Sequence, residues 1–262
     1  SDKWTMDSRE SEIEYCRAHG INLPFSADNS YSRDRNIWHI SHEGLELEDP
    51  SCAPNYDHLL VLSNSPEKAP EEDVHLSIDW EKGVPVALNG EKMSQREILE
   101  KLNEIGGQHG IGIIDIVENR VVGMKSRGVY ETPGGTILME AHQQLEELIL
   151  DRETLKYKRL VSVEFAELVY AAKWFSPLRE ALTAFVDKTQ EYVTGTTNFR
   201  LYKGNIIKEG TTSPYSLYDE DIASFKTGDL YDHHDAEGFI NLFGLSTKVR
   251  AMKMAEVEKN NK

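Results

Sequence analysis

The sequence predicts an α+β fold: a mixed or antiparallel sheet with several packed helices and a C-terminal helical arm. Three observations predict it. Short alternating runs rich in β-branched and aromatic residues recur before residue 120 and return near residue 200. Between them, residues 136–192 carry apolar side chains at helical spacing. The stretch 232–262 keeps that spacing but is thin in apolar residues.

The elements follow in order. Asp7 or Ser8 is placed to cap a helix over Arg9–His19, with Glu10, Glu12 and Glu14 toward its positive end and Gly20 as its stop. Ile21–Phe25 is a short apolar run halted by Pro24. Residues 26–50 begin polar and turn-rich; Ile37, Trp38 and Ile40 then alternate loosely, as in a half-buried strand. Ser32 and Ser41 taken by themselves are loop hydroxyls. Residues 63–73 have the composition of a surface linker. Val74–Trp80 and Val84–Leu88 flank Lys82-Gly83 and predict a hairpin with one buried face. Ser94 and Glu97 form a capping box before a helix carrying Ile98, Leu99, Leu102 and Ile105, and Gly106-Gly107 is read as its end.

Past the centre, helices are predicted over Thr136–Leu150, Arg152–Leu160, Phe165–Phe175 and Pro177–Tyr192, with Trp174 and Phe175 in the core. Thr196–Tyr202 and Ile206–Lys208 form a second hairpin around Lys203-Gly204-Asn205. Ser213-Pro214 opens a short helix reaching Phe225. A last helix runs from about Ala236 to Asn260. Its sparse apolar residues, Val249, Met252, Met254 and Val257, suit an arm for a neighbouring subunit.

Bulk properties narrow the function. The chain has 262 residues, room for one large domain or a domain with an appendage. It is 39% hydrophobic and 28% charged, ordinary for a soluble globular protein. No apolar run approaches the roughly 18 residues of a membrane helix, and residues 1–10 lack the basic head and apolar core of a signal peptide. A net charge of −16, from 45 acidic against 29 basic side chains, weighs against nucleic acid or an anionic membrane as partner. Two cysteines, Cys16 and Cys52, are too few for a disulfide framework, so a reduced, cytoplasmic setting is expected.

The most informative stretch is residues 106–142. Ile113–Val117, interrupted only by Asp115, suits a buried strand. Glu118, Asn119, Arg120, Lys125, Ser126, Arg127, Tyr130 and Glu131 then crowd polar chemistry ahead of Thr132-Pro133, an N-cap followed by proline at the first helical position. Charged groups gathered between a strand and a helix start are held rigidly, a common site layout. From charge alone, Glu118 belongs in a salt bridge with Arg120 or Arg127. Other motifs carry less. The glycine-rich run 107–112 precedes a strand, whereas phosphate-cradling loops follow one and open a helix. His39 with His42, and Asp229 with Asp232, His233, His234 and Asp235, are read as polar loops ahead of metal sites.

The run DIVENRVVGMKSRGVYETPGGTIL, residues 115–138, resembles the argininosuccinate synthase family. So do IWHISHEGLELEDP (37–50), KGVPV (82–86), DRETLKYK (151–158), FAELVYAAKWFSPLREAL (165–182), LYKGN (201–205), SPYSLYDE (213–220) and DAEGFINLFGL (235–245), all in family order. The resemblance implies an ATP-dependent ligase that joins citrulline to aspartate and releases AMP and pyrophosphate. It assigns citrulline binding to Ser32, Ser41, Glu118 and Tyr130. It implies ATP with Mg as co-substrate, held mostly by an N-terminal nucleotide-binding domain whose Ser-Gly-Gly-Leu-Asp-Thr-Ser-type loop is not found here, and no catalytic residue or metal ligand in this chain. It divides the chain into residues 1–25, the crossover from the nucleotide-binding part; 26–231, the synthetase domain; and 232–262, an oligomerisation helix of a homotetramer. Lys125 and Arg127 are candidates to offset phosphate charge. The alternative is a non-catalytic binding or scaffold module with the same fold.

Overall fold

The computed structural model describes residues 6–23, 31–223 and 232–261. Pro24, Phe25, Phe225 and Asp229 lie outside the described residues. The chain divides into two units, residues 1–215 and 216–262.

In the first unit, α1 (Arg9–Ala18) is capped by Ser8, whose side chain accepts from the Ser11 amide. Two antiparallel sheets follow among the described residues. The smaller contains β1 (Ser32–Arg35), β2 (Ile40–Glu43), β6 (Ile113–Asn119) and β7 (Lys125–Glu131) in the order β1-β2-β7-β6. The larger contains β3 (Val74–Glu81), β4 (Val84–Leu88), β5 (Glu91–Lys92), β8 (Gly195–Tyr202) and β9 (Asn205–Thr212) in the order β5-β4-β3-β8-β9. The helices are α2 (Tyr56–Leu59), α3 (Gln95–Gln108), α4 (Pro133–Ile149), α5 (Arg152–Tyr170) and α6 (Pro177–Gln190).

The two predicted hairpins form as alternation requires. Lys82 and Gly83 both take positive φ, 52° and 77°, which matches the twist of β3 and β4. Leu76, Ile78 and Trp80 on β3, with Phe199 and Leu201 on β8, point to one side of the larger sheet. There they meet Ile98, Leu99 and Leu102 of α3 and Ile137, Leu138 and Leu145 of α4. This is the main core. Burying each such side chain contributes about 1.5–3 kcal/mol. The Ser94–Glu97 capping box starts α3 as read. The glycines do not end it: the helix runs to Gln108, and Gly106 and Gly107 are buried within its last turn. A Cβ on Gly106 would lie 2.8 Å from Ile137, and one on Gly107 would overlap the Leu62 carbonyl. These glycines serve close packing.

Other expectations are corrected. Ile37 and Trp38 stand in the β1–β2 turn, 41% and 50% exposed, and Ser32 and Ser41 are in strands. β6 is no buried strand: it is the edge of its sheet, with Ile114 and Val117 45% and 53% exposed. The two helices predicted over 152–175 are one helix, because nothing between Leu160 and Phe165 breaks it, and Phe175 follows it at 89% exposure. The helix expected from Ser213-Pro214 is confined, among the described residues, to α7 (Glu220–Ala223).

In the second unit the single predicted helix is two, α8 (Asp235–Phe243) and α9 (Leu245–Asn260), meeting at Gly244. Phe239 and Phe243 stack with centroids 5.0 Å apart. Neither helix buries a residue.

Candidate functional site

The smaller sheet has two unlike faces, because successive side chains alternate. One face is covered by residues 45–63. Tyr31, Leu47, Leu59 and Val129 form a small core there. A buried polar relay adjoins it. Glu131, 0% exposed, accepts from His42 Nε2 at 2.7 Å and from the amides of Val61, Leu62 and Ser63 at 2.8, 2.7 and 2.6 Å. Arg33 Nε donates to His42 Nδ1 at 3.0 Å, which fixes the histidine as the tautomer with its proton toward Glu131. Burial pushes the Glu131 carboxyl up, but the hydrogen bonds from His42 and the three amides outweigh it and hold it below the usual carboxylate range.

The opposite face is open, and the residues assigned to citrulline stand on it. Ser41 of β2 lies directly opposite Tyr130 of β7. The Tyr130 hydroxyl donates to Glu118 Oε2 of β6 at 3.1 Å. The half-buried phenol is pushed up to about 12, by burial first and then by the Glu118 charge and hydrogen bond. Gly128 makes room for this ring: a Cβ there would lie 3.2 Å from Tyr130 Cε2. The Ser41 hydroxyl accepts from the Asp34 amide at 3.3 Å. Ser32 is exposed on the same face, opposite Glu43 and two residues along β1 from Asp34. The structure thus brings Ser41, Tyr130 and Glu118 together and sets Ser32 at the sheet's far edge.

The salt bridge that charge alone assigned to Glu118 does not form. Arg120 reaches across to Glu43 at 2.8 Å. Arg127 pairs with Asp115 at 2.7 and 2.9 Å and donates to the carbonyls of Asp49 and Cys52. Arg127 and Lys125 also belong to the covered face, on the far side of β7 from Tyr130, so the phosphate role suggested for them is not supported at this site.

Sequence reasoning missed one neighbour. His39, in the β1–β2 turn, sets its ring edge-on to Tyr130 with centroids 5.8 Å apart. Its Nδ1 is buried and, among the described residues, has no hydrogen-bond partner. Leaving such an atom unpaired costs about 1–3 kcal/mol. The available signal was its place two residues before Ser41, on the same side of the chain. His42 faces the other way, so the two histidines do not converge. Among the described residues, no three His, Cys, Asp or Glu side chains are placed to hold a metal, and no helix is long and apolar enough to cross a membrane. Asp232 accepts from the His234 amide at 2.9 Å, a turn contact.

Residues 31–250 match the family model described as "Arginosuccinate synthase C-terminal domain". Three proteins named argininosuccinate synthase are close relatives. That of Lachnoclostridium phytofermentans is 76% identical over 257 residues, 98% of this chain and 63% of the relative. That of Lachnospira eligens is 72% identical over 258 residues, with the same two coverages. That of Agathobacter rectalis is 71% identical over 262 residues, 99% of this chain and 64% of its own. The chain therefore spans a little under two thirds of the length of these relatives. On the family match and the relatives together, the chain belongs to the argininosuccinate synthase family and corresponds to its C-terminal part.

Proposed function

We propose that this chain is the synthetase and oligomerisation portion of an argininosuccinate synthase, and that its share of the reaction is to hold citrulline. The observation that carries the reading is the row Ser41–Tyr130 with the Tyr130 hydroxyl on Glu118. Citrulline is a zwitterion with a neutral ureido tail. A carboxylate that accepts from a phenol keeps acceptor capacity for the substrate's N–H groups. The serine hydroxyls, which both donate and accept, suit the remaining polar atoms. In the ligation the ureido oxygen displaces pyrophosphate from the α-phosphorus of ATP, and the aspartate amine then displaces AMP. This face contributes positioning of the ureido group.

The open face does not fit a triphosphate by itself. Asp34, Glu43 and Glu118 are acidic, and Arg120 is already neutralised by Glu43. ATP with its magnesium, and aspartate, are assigned to the length that the relatives have beyond this chain. Residues 1–25 then form the crossover, 26–231 the citrulline-binding domain and 232–262 the contacts of a cytoplasmic homotetramer.

Calorimetric titration of the complete enzyme tests the reading. Glu118→Ala is expected to weaken citrulline binding at least tenfold, with ATP binding unchanged. Equal citrulline affinity in the two proteins would overturn the assignment. The chain alone is expected to show no ATP–pyrophosphate exchange.

A further inference from the structure

We infer that His39 is a fifth citrulline-contacting residue, one that turns a ring nitrogen onto the bound substrate while its edge holds Tyr130 in place. The inference rests on the citrulline reading above and adds a residue to it.

The position is fixed from three sides. Asn36 Oδ1 accepts from the amides of Trp38 and His39 at 2.8 and 3.1 Å, closing the turn. Asn103 Nδ2 donates to the Ile37 carbonyl at 2.8 Å, and Asn103 Oδ1 accepts from the Gly134 amide at 2.9 Å. The turn is thereby tied to the start of α4, the helix that β7 feeds. The His39 ring then stands at 78° to Tyr130, the residue that bonds Glu118. The ring thus lies against a residue of the open face, and its Nδ1, buried and unpaired among the described residues, leaves a hydrogen bond unmet in this orientation. Half a turn of the ring exchanges Nδ1 with Cδ2 and moves the nitrogen to the opposite side of the ring. On the open face Asp34 and Glu118 are carboxylates, and Arg120 is taken up by Glu43. A zwitterionic amino acid brings a carboxylate of its own, which needs a donor, and an imidazole N–H supplies one.

The test uses the complete enzyme and two substitutions. His39→Phe keeps an aromatic edge against Tyr130 but has no nitrogen. His39→Asn places an amide nitrogen near the Nδ1 position. The expected result is a rise of about tenfold or more in the KM for citrulline with His39→Phe, with ATP and aspartate KM values and melting temperature unchanged, and recovery to within a few-fold with His39→Asn. If His39→Phe binds citrulline as the parent does while Glu118→Ala does not, the inference fails and the citrulline reading stands. If neither substitution matters, the reading itself fails. If both His39 substitutions lower melting temperature and raise all three KM values together, the role is structural and the inference fails.

Discussion

The two sheets of the large unit are both antiparallel, and they are held together by different physics. The five-stranded sheet lays Leu76, Ile78, Trp80, Phe199 and Leu201 against α3 and α4 and is secured by apolar burial. The four-stranded sheet buries few apolar groups and is secured by the Arg33–His42–Glu131 relay beneath it. That economy leaves its other face free for Ser41, Tyr130 and Glu118. Ser41 and Tyr130 immediately precede His42 and Glu131, so the relay and the site share two strands. Disturbing the relay is therefore expected to disturb the site, and weakening the larger sheet is expected to leave it unchanged.

The largest effects separate the sheets directly. Glu131→Gln puts an amide against four N–H donors and is expected to cost about 3–5 kcal/mol in urea unfolding. It should also weaken citrulline binding, because β2 and β7 lose their common anchor. Phe199→Ala should cost a similar ~3–5 kcal/mol yet leave citrulline affinity within about twofold under folding conditions. Equal loss of affinity in both would merge the two regions into one. A smaller effect lies within the larger sheet. Trp80 Nε1 donates to Thr197 Oγ1 at 3.0 Å, both residues being buried. Thr197→Val strands that donor and is expected to cost about 1–3 kcal/mol, again without a change in citrulline affinity.

The smallest effect is in pH. The folded Glu131 carboxyl sits below its ordinary value, so it binds protons less readily than in the unfolded chain. Its contribution is complete above the ordinary glutamate pKa of about 4.3 and is lost as pH falls through the depressed folded value. Unfolding measured between pH 6 and 3, a window set about that ordinary value, should therefore show a steeper acid loss for the parent than for Glu131→Gln. Parallel curves would remove Glu131 as the anchor.

The larger sheet was the more legible of the two in sequence, and the reason is physical. One-sided burial imposes alternation, so Val74–Trp80 announces itself, and local capping chemistry announces α3 through Ser94 and Glu97. The smaller sheet carries weaker signs. β7 reads Lys-Ser-Arg-Gly-Val-Tyr-Glu, with polar side chains toward both faces, and no apolar period marks it as a strand. Arg120 chose Glu43, a partner 77 positions away that sequence adjacency could not reveal. Local charge therefore pointed Glu118 to the wrong neighbours, and the family resemblance alone tied it to Tyr130. In sequence His39 stands out only beside His42, since its contact with Tyr130 exists only once β2 and β7 pair. The helical periodicity that ends at Phe175 places Trp174 and Phe175 in the core. They follow the end of α5, where burial depends on what the chain packs against.

β6 carries a practical consequence. Among the described residues its outer edge has no partner strand, and Ile114, Ile116 and Val117 are exposed along it, with Val121 and Val122 at the adjoining turn. Asp115 is occupied by Arg127 and does little to repel a newcomer. Bare apolar edges of this kind template pairing with further chains, so concentrated samples of the isolated chain should aggregate by this route, and a lysine at position 116 would improve their solubility.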